Sequence, residues 1–275
     1  MRNFFVSFRK SITSPGFLIC VGMTVLLLFA AEVYTDYDTQ SRYSVLSALF
    51  DFSSEERAKH YELYDIIIMK NARSGWLTLF APIITSFCFV PQMCAERNEN
   101  AVRFQIFRTS KMKYNISQFL SGVISGGFAL AVGYAVFCAM TFFLFPNVSA
   151  QPDLFMNENF DFTKCLVSMW LYGAFWSVPA MFLTSVLRNK YLVMCIPFFV
   201  KYGFTQTYQK MLNNAFSAEN FDESTIKLAN FINPDGILWI NDTTRINVIL
   251  LFGISAVSFF AAFVIVMQKR GDCGA

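Results

Sequence analysis

Three consecutive stretches decide how this chain folds. The apolar run WLTLFAPIITSFCFVPQM (residues 76–93) is followed by the charged stretch CAERNENAVRFQIFRTSKMKYNISQF (94–119), and then by LSGVISGGFALAVGYAVFCAMTFFLF (120–145). Each apolar run is close to or above the roughly 20 residues that a helix needs to cross a bilayer. A connection between two such helices needs only a few residues, so the charged stretch is longer than a simple loop requires.

The composition of the whole chain is that of a membrane protein. Of its 275 residues, 55% are hydrophobic and only 15% are charged, and 33 are phenylalanine. A soluble domain carries about 25% charged residues. One soluble core cannot bury this much aromatic surface, whereas lipid accepts apolar side chains on the outside of a helix bundle.

Six apolar runs reach or approach the length of a membrane-spanning helix. They are residues 17–34, 76–95, 118–145, 165–187, 191–211 and 246–268. Helices are the expected spanning element, since backbone groups in hydrocarbon must pair within their own segment and these runs are longer than barrel strands. The predicted fold class is an all-α integral membrane protein, in which residues 1–275 form one domain with six transmembrane helices.

The distribution of basic residues predicts the orientation. If the amino terminus is cytoplasmic, the inner segments (1–16, 96–117, 188–190 and 269–275) hold twelve Lys or Arg and three acids. The remainder holds ten Lys or Arg and sixteen acids. By the positive-inside rule, both termini are expected in the cytoplasm, and we expect a bacterial plasma membrane.

The amino-terminal residues predict an amphipathic helix that lies in the membrane interface. Its apolar residues recur at helical spacing: Phe4, Phe5, Phe8 and Ile12. Pro15 is expected to break this helix before the first span. A secretory signal peptide is the alternative interpretation, because LLLFAAEV (26–33) resembles a cleavage region.

The outer segments carry apolar stretches that are too short to span. Residues 228–241, LANFINPDGILWIN, are interrupted by Pro234 and Gly236 and predict a helix that dips into the membrane or lies on its surface. Within residues 35–75, a helical face is expected to rest on the outer leaflet. It comprises Val45, Leu46, Leu49 and Phe50.

Span three carries small residues at four-residue steps, namely Ser121, Ser125, Ala129 and Gly133, beside the pair Gly122 and Gly126. Small residues at this spacing let two helices approach closely. Packing within the chain is the favoured interpretation, and a subunit interface is the alternative.

The charged stretch has the pattern of a short helix with apolar residues and basic flanks. Its apolar members are three or four residues apart in pairs: Val102 with Ile106, and Phe104 with Phe107. Glu99 and Arg103 form a favourable pair at four-residue spacing. One interpretation is a loop helix held against anionic lipid head groups. The other is a docking element that another protein holds.

This arrangement resembles the type-two family of ATP-binding-cassette exporter permeases. In that family a cytoplasmic amphipathic helix leads into six spans, and the connection between spans two and three couples to the ATPase. Glu96 stands where the family has a glutamate, residues 101–107 match its coupling helix and 108–114 its basic stretch. RKSITSPGFLI (9–19) also resembles the family's entry to span one. The sequence departs from the family at Thr109, where proline is common, and at Gln118, where lysine is common.

The resemblance implies a permease that pairs with a second, identical or similar permease chain and binds cytoplasmic ATPase subunits. Aromatic and aliphatic side chains would fill an apolar cleft of the ATPase, and arginines would fix the orientation at its rim. The residues implied in coupling are Glu96, Arg97, Val102, Arg103, Phe104, Ile106, Phe107 and Arg108. The expected cargo is amphipathic or hydrophobic: a peptide, an antibiotic or a lipid-like molecule.

The sequence predicts a transport subunit and not an enzyme. It has no GxxxxGK[ST] loop, so ATP and Mg are expected on a separate ATPase chain and no cofactor is expected here. The seven cysteines form no CxxC pair and His60 is the only histidine, so no metal site is expected. The expected partners besides the two proteins are membrane lipids; nucleic acid is not among them.

Lys201 is the candidate for the translocation path. It lies ten residues into span five, about 15 Å deep at about 1.5 Å per residue. A lone cation at that depth costs about 2.5 to 3.5 kcal/mol, so it is expected to face protein or water. With Thr205, Gln206 and Tyr208 it would line the path, which span five borders in the resembling family. The alternative is that span five ends near Val200 and that Lys201 is interfacial.

Two other classes of function stay open. An ion-coupled secondary transporter or channel would need no ATPase, and would be expected to show internal repeats or several intramembrane charges. A non-transporting assembly or sensory subunit would keep its function if side chains filled the predicted polar cavity.

Overall fold

The computed structural model describes residues 2–36, 41–98, 110–146, 161–217, 223–238 and 244–269, and these are mostly helical. The helices are α1 (Arg2–Ile12), α2 (Pro15–Phe29), α3 (Val45–Asp51), α4 (Ser54–Arg57), α5 (Asp65–Asn71), α6 (Trp76–Phe87), α7 (Val90–Asn98), α8 (Lys111–Leu144), α9 (Phe162–Val186), α10 (Lys190–Ser217), α11 (Glu223–Ile232) and α12 (Thr244–Lys269). Strands β1 (Glu32–Asp36) and β2 (Ser41–Ser44) pair antiparallel, and short 3₁₀ turns lie at Tyr61–Leu63, Ala72–Ser74 and Pro234–Leu238.

Three helical stretches are long and apolar enough to cross a membrane: Trp76–Asn98, Lys111–Leu144 and Phe162–Val186. The first two helices, taken together, also qualify, with a bend of 55° between them. In the described part of the carboxyl-terminal third, Gly253–Lys269 is apolar but shorter. These lengths and compositions support the expectation of a helical membrane protein at the coarse level.

The bend between α1 and α2 follows from Ser14 and Pro15. α1 ends at Ile12, and the Ser14 side chain accepts a hydrogen bond from the Phe17 backbone N–H at 3.2 Å, which caps α2. Pro15 takes the first position of α2, where its missing N–H costs nothing. A helix at the amino terminus is therefore confirmed, its place in the membrane interface stays a prediction, and Pro15 starts the next helix.

The apolar face of α1 packs on α8. The rings of Phe4 and Phe8 stack with centroids 5.7 Å apart, and the Phe8 ring meets Phe128 edge-on at 5.7 Å. These contacts lay α1 against the body of the bundle, away from the axis of α2. The phenylalanines of α1 that recur at helical spacing thus pack within the chain, through the contact of Phe8 with Phe128.

Small residues bring α8, α9 and α2 into close contact. A Cβ atom added to Gly126 would collide with the Ser177 side chain, and one added to Gly173 would lie 2.9 Å from the Gly126 carbonyl oxygen. On another side of α8, a Cβ at Gly133 would lie 2.6 Å from Thr24 Cβ. Because these neighbours belong to the same chain, the small residues serve packing within the chain, as favoured from the sequence.

The described residues are mostly helical, as predicted, with one two-stranded hairpin that the sequence did not indicate, and the first span is shorter than predicted. α2 ends at Phe29, and residues 32–34 belong to the hairpin, with Tyr34 opposite Tyr43. The two tyrosine rings lie 5.8 Å apart, and such cross-strand aromatic pairs stabilise a hairpin. The apolar run continued past Ala30 in the sequence, so its periodicity gave no sign of the change to a strand.

The other boundaries differ from the prediction in smaller ways. The second span is interrupted at Cys88–Phe89 between α6 and α7, and α8 begins at Lys111, seven residues before the predicted 118. α10 extends to Ser217, past the predicted 211. The four apolar residues predicted to share one face of α3 differ in burial: Val45 is buried in the protein, whereas Phe50 is exposed.

Candidate functional site

The predicted coupling residues are only partly described. Glu96 and Arg97 lie at the end of α7, in the described part of the chain. The remaining six lie outside the described residues: Val102, Arg103, Phe104, Ile106, Phe107 and Arg108. Their role in coupling stays a prediction.

Glu96 joins α7 to the amino-terminal helix. It is buried, and its Oε1 accepts hydrogen bonds from the Lys10 ammonium group and, at 3.2 Å, from Gln92 Nε2. The Lys10 side chain is about half exposed, so the pair sits at the edge of the bundle. Glu96 Oε2 is buried with no hydrogen-bond partner among the residues that the structure describes. The carboxylate therefore fixes α1 against the last turn of α7.

Arg97 joins the same turn of α7 to a third helix. Its guanidinium donates a hydrogen bond at 3.3 Å to the carbonyl oxygen of Leu187, which caps the carboxyl end of α9. A positive charge at that end is favourable, because the helix dipole leaves partial negative charge on the last carbonyls. The chain thus enters the charged stretch from a helix end that two other helices hold.

A polar cleft lies beside this helix end. It has a volume of about 310 Å³ and is lined by Pro91, Cys94, Ala95, Asn98, Arg188, Asn189, Lys190 and Tyr191. The Lys190 ammonium lies 5.2 Å from the centre of the Tyr191 ring, a cation–π distance. The cleft adds further basic residues to the end of the bundle that carries α1.

Lys201, the residue singled out from the sequence, is fully buried and ion-paired. Only 1% of its side chain is exposed, and its Nζ lies 2.6 Å and 2.7 Å from the two carboxylate oxygens of Asp235. The side chain faces protein, as the cost of a lone charge in hydrocarbon required. Whether Lys201 also borders a translocation path stays a prediction.

Tyr172 of α9 completes the cluster around Asp235. Its hydroxyl lies 2.8 Å from Asp235 Oδ1 and 3.0 Å from the carbonyl oxygen of Thr78. The hydroxyl has one proton, so it donates to one of these acceptors at a time. The carboxylate of Asp235 is therefore within hydrogen-bond distance of donors from two different helices.

The 3₁₀ turn that carries Asp235 is held at its other end by a second buried cation. The Arg73 guanidinium donates to the carbonyl oxygen of Leu238 at 3.0 Å and lies 3.3 Å from Ser168 Oγ. Ile237 and Leu238 are buried among the helices. The turn thus reaches into the bundle. The prediction that residues 228–241 dip into the membrane or lie on its surface stays a prediction, and residues 239–241 lie outside the described residues.

The other predicted path residues do not meet Lys201 in one polar site. The Thr205 hydroxyl donates to the Lys201 carbonyl oxygen at 3.1 Å, within its own helix. Gln206 is exposed. The Tyr208 hydroxyl donates at 3.1 Å to Asn230 Oδ1 of α11. Lys201 and Tyr208 therefore share one partner segment, residues 223–238.

An apolar cavity of about 190 Å³ adjoins the charged cluster. It is lined by Val123, Leu171, Ala174, Phe175, Val178, Ile237, Gly253 and Ala256. Leu171 precedes Tyr172, and Ile237 lies two residues after Asp235, so the cavity and the cluster share two elements.

Asp235, Tyr172 and Arg73 are the site residues that sequence reasoning missed. A lysine in a predicted span is expected to face protein or water, and an acid is one such partner; Asp235 stands between Pro234 and Gly236 in the segment predicted to dip. The need of Lys201 for a polar partner was the signal in the sequence that could have pointed to Asp235. Within the described ranges, no three His, Cys, Asp or Glu side chains come together as metal ligands.

Comparison with models of protein families gave no match, and comparison with curated proteins gave none either.

Proposed function

We propose that the chain is the membrane-spanning permease subunit of an ATP-binding-cassette exporter. In this proposal six helices span a bacterial plasma membrane with both termini in the cytoplasm, and the chain pairs with a second permease chain. Residues 96–114 dock on a separate ATPase that binds ATP and Mg. The cargo is amphipathic or hydrophobic.

The ion pair between Lys10 and Glu96 carries this proposal. A docking segment transmits movement to the bundle only if its base is attached to rigid elements. Glu96 is bound to α1, and Arg97 is bound to the end of α9. Both attachments lie at the start of the charged stretch, where force from an ATPase would enter the bundle.

The packing directions of the helices support the six-span layout. The Cys20 thiol on α2 donates to the Ile84 carbonyl oxygen on α6, and Gly16 lies against Phe87, so these two helices are antiparallel. α8 and α9 are antiparallel too, with Gly126 against Ser177 and Gly122 against Met181. Such neighbours are what a chain that crosses a membrane repeatedly in alternating directions requires.

Co-purification from the native cells tests the proposal. The tagged chain, extracted in mild detergent, is expected to retain a protein that carries a GxxxxGK[ST] loop and hydrolyses ATP. The variants Phe107→Ala and Arg103→Glu are expected to lose it, because aromatic anchors and charged groups dominate such interfaces. Arg42→Ala in the hairpin, whose side chain is exposed, is the matched control and is expected to retain it. Equal retention by all variants contradicts the proposal.

An ion-coupled transporter is the second candidate, and the intramembrane pair of Lys201 and Asp235 is the observation that favours it. In that case the purified chain in vesicles would move an ion or a proton with its substrate and without ATP. Uptake driven by an imposed proton gradient, lost in Asp235→Asn, would support this candidate over the first.

A further inference from the structure

We propose that Lys201 and Tyr172 form a carboxylate-binding site, which Asp235 of the chain itself occupies in this conformation. When the Pro234–Leu238 turn moves away, the carboxylate of an amphipathic cargo takes the place of Asp235. The site stands on the contacts described here, and its use by a cargo rests on the proposed transport function.

The donors around Asp235 have the geometry that a carboxylate requires. The Lys201 ammonium contacts both oxygens, at 2.6 Å and 2.7 Å, and the Tyr172 hydroxyl lies 2.8 Å from one of them. Both donor side chains are buried, so their hydrogen bonds are not shared with bulk water. Charge-assisted hydrogen bonds of this kind are short and strong.

The group that now fills the site is on a short, partly accessible element. Asp235 belongs to a five-residue 3₁₀ turn between Pro234 and Leu238. One quarter of its side chain is exposed, whereas Lys201 on the opposite side is closed off. The site is therefore approached from the side of Asp235. Withdrawal of the turn breaks the Arg73 hydrogen bond to Leu238 and uncovers Ile237 and Leu238, while α9 and α10 stay helical.

A vacant site of this kind would be costly. Removing one partner of a buried ion pair leaves an uncompensated charge, which is strongly destabilising. Any state of the protein in which the turn withdraws must supply another anion to Lys201. A cargo with a carboxylate supplies that anion and so stabilises the open state.

The adjoining cavity indicates what the rest of such a ligand is. Its volume of about 190 Å³ is somewhat larger than the roughly 150 Å³ apolar cavity that takes up benzene. Ile237 of the same turn lines it, next to the Tyr172 helix. A carboxylate joined to an aromatic ring or a short acyl chain fits both parts, so the inferred class is an apolar carboxylic acid or the carboxyl end of an apolar peptide.

Chemical rescue tests the site directly. Asp235→Ala leaves room for a small carboxylate, so sodium acetate at about 0.1 M is expected to raise its unfolding temperature by about 2 to 4 °C over sodium chloride of equal ionic strength. The wild type, whose site is filled, and Lys201→Met combined with Asp235→Ala, which lacks the cation, are expected to show no such rise. The absence of a specific rise in Asp235→Ala, or an equal rise in the double variant, overturns the proposal.

A second measurement covers the case in which Asp235→Ala does not fold. Leu238→Cys is placed in a background with Cys195→Ser and Cys273→Ser, because Leu238 is buried on the same turn and does not line the cavity. Cys195 is exposed, and Cys273 lies outside the described residues. Benzoate is expected to increase labelling of the introduced thiol by an impermeant maleimide at least twofold, since it displaces Asp235 and frees the turn. Benzyl alcohol, and benzoate added to the same protein with Lys201→Met, are expected to have no effect. Equal labelling with benzoate and benzyl alcohol overturns the proposal.

Failure of this inference is distinguishable from failure of the proposed function. If the carboxylate effects appear but no ATPase co-purifies, the site stands and the exporter proposal falls. If the ATPase co-purifies and neither effect appears, the site proposal falls and the exporter proposal stands.

Discussion

Lys10 in the amino-terminal helix forms an ion pair with Glu96, which stands 86 residues later at the end of α7. The pair joins an element expected at the membrane interface to the base of the charged stretch. Because Glu96 is buried and Lys10 is half exposed, the carboxylate depends on the lysine more than the lysine depends on the carboxylate. Reversing either charge should therefore separate α1 from α7.

We predict that Glu96→Lys lowers the stability of the protein by about 1 kcal/mol or more, because it buries a second cation beside Lys10. Lys10→Glu combined with Glu96→Lys is expected to recover part of that loss. Thermal unfolding in detergent measures both. The exposed pair of Arg42 and Glu32 is the matched control, and its charge reversal is expected to change stability by a few tenths of a kcal/mol at most. A loss in Glu96→Lys no larger than in the control would show that the pair does not hold α1.

Gly126→Ala is expected to destabilise the protein by about 1 to 3 kcal/mol, since the added methyl group collides with Ser177 and forces α8 and α9 apart. Gly203→Ala is the matched control, because a Cβ there has no neighbour within 4 Å. The midpoint of unfolding in increasing denaturing detergent compares the two. An unchanged midpoint for Gly126→Ala, with loss of dimers instead, would favour the alternative in which these small residues form a subunit interface.

Lys201→Leu and Asp235→Leu are each expected to cost about 3 kcal/mol, because each leaves one charge of a buried pair without its partner. The double variant is expected to lie closer to the wild type than the sum of the single losses, since no charge is left unpaired. The exposed pair of Lys227 and Glu223 on α11 is the control, with an expected coupling of about 0.3 to 0.5 kcal/mol. Additive losses at Lys201 and Asp235 would mean that the two groups do not interact in the folded protein.

The stability of the first turn of α4 is expected to depend on pH through the charge of Glu56. The backbone N–H of Ser53, first, and the Ser53 hydroxyl hold the pKa of Glu56 below its ordinary value, in a capping box at the start of α4. A lowered pKa in the folded state means that this contribution is present above the ordinary value of 4.5 and is lost as pH falls through the folded value. Ser53→Ala is expected to raise the pKa of Glu56, as followed by the NMR shift of its carboxyl carbon. An unchanged titration in that variant would show that Ser53 does not cap α4 in solution.

The parts of the fold that the sequence predicts are those whose interactions repeat along one helix. Phe4 and Phe8 are four residues apart, their rings stack, and the Phe8 ring packs on Phe128 of α8. Gly122 and Gly126 likewise meet successive turns of α9. In both cases a local spacing determines the face, and the remaining uncertainty is only which helix covers it.

The hairpin and the charged cluster depend on interactions that spacing does not encode. Residues 30–34 have only Glu32 as a charged residue and show no strand alternation, so the pairing of Tyr34 with Tyr43 is what distinguishes strand from helix there. Lys201 and Asp235 are 34 residues apart, and they meet because residues 223–238 turn back into the bundle. The sequence predicted that Lys201 faces protein or water. Which group it contacts could not be predicted, because that depends on how the chain between the two residues folds.

In the proposed function, an ATPase holds the charged stretch on the cytoplasmic side. A photo-crosslinking amino acid at Phe107 in intact cells measures this directly, with the same group at Phe50, which is 78% exposed on α3, as the control. We expect a crosslink from position 107, and none from position 50, to a protein that carries a nucleotide-binding loop. Reaction of a cysteine at position 107 with an impermeant reagent outside intact cells, or the absence of any protein crosslink there, would contradict it.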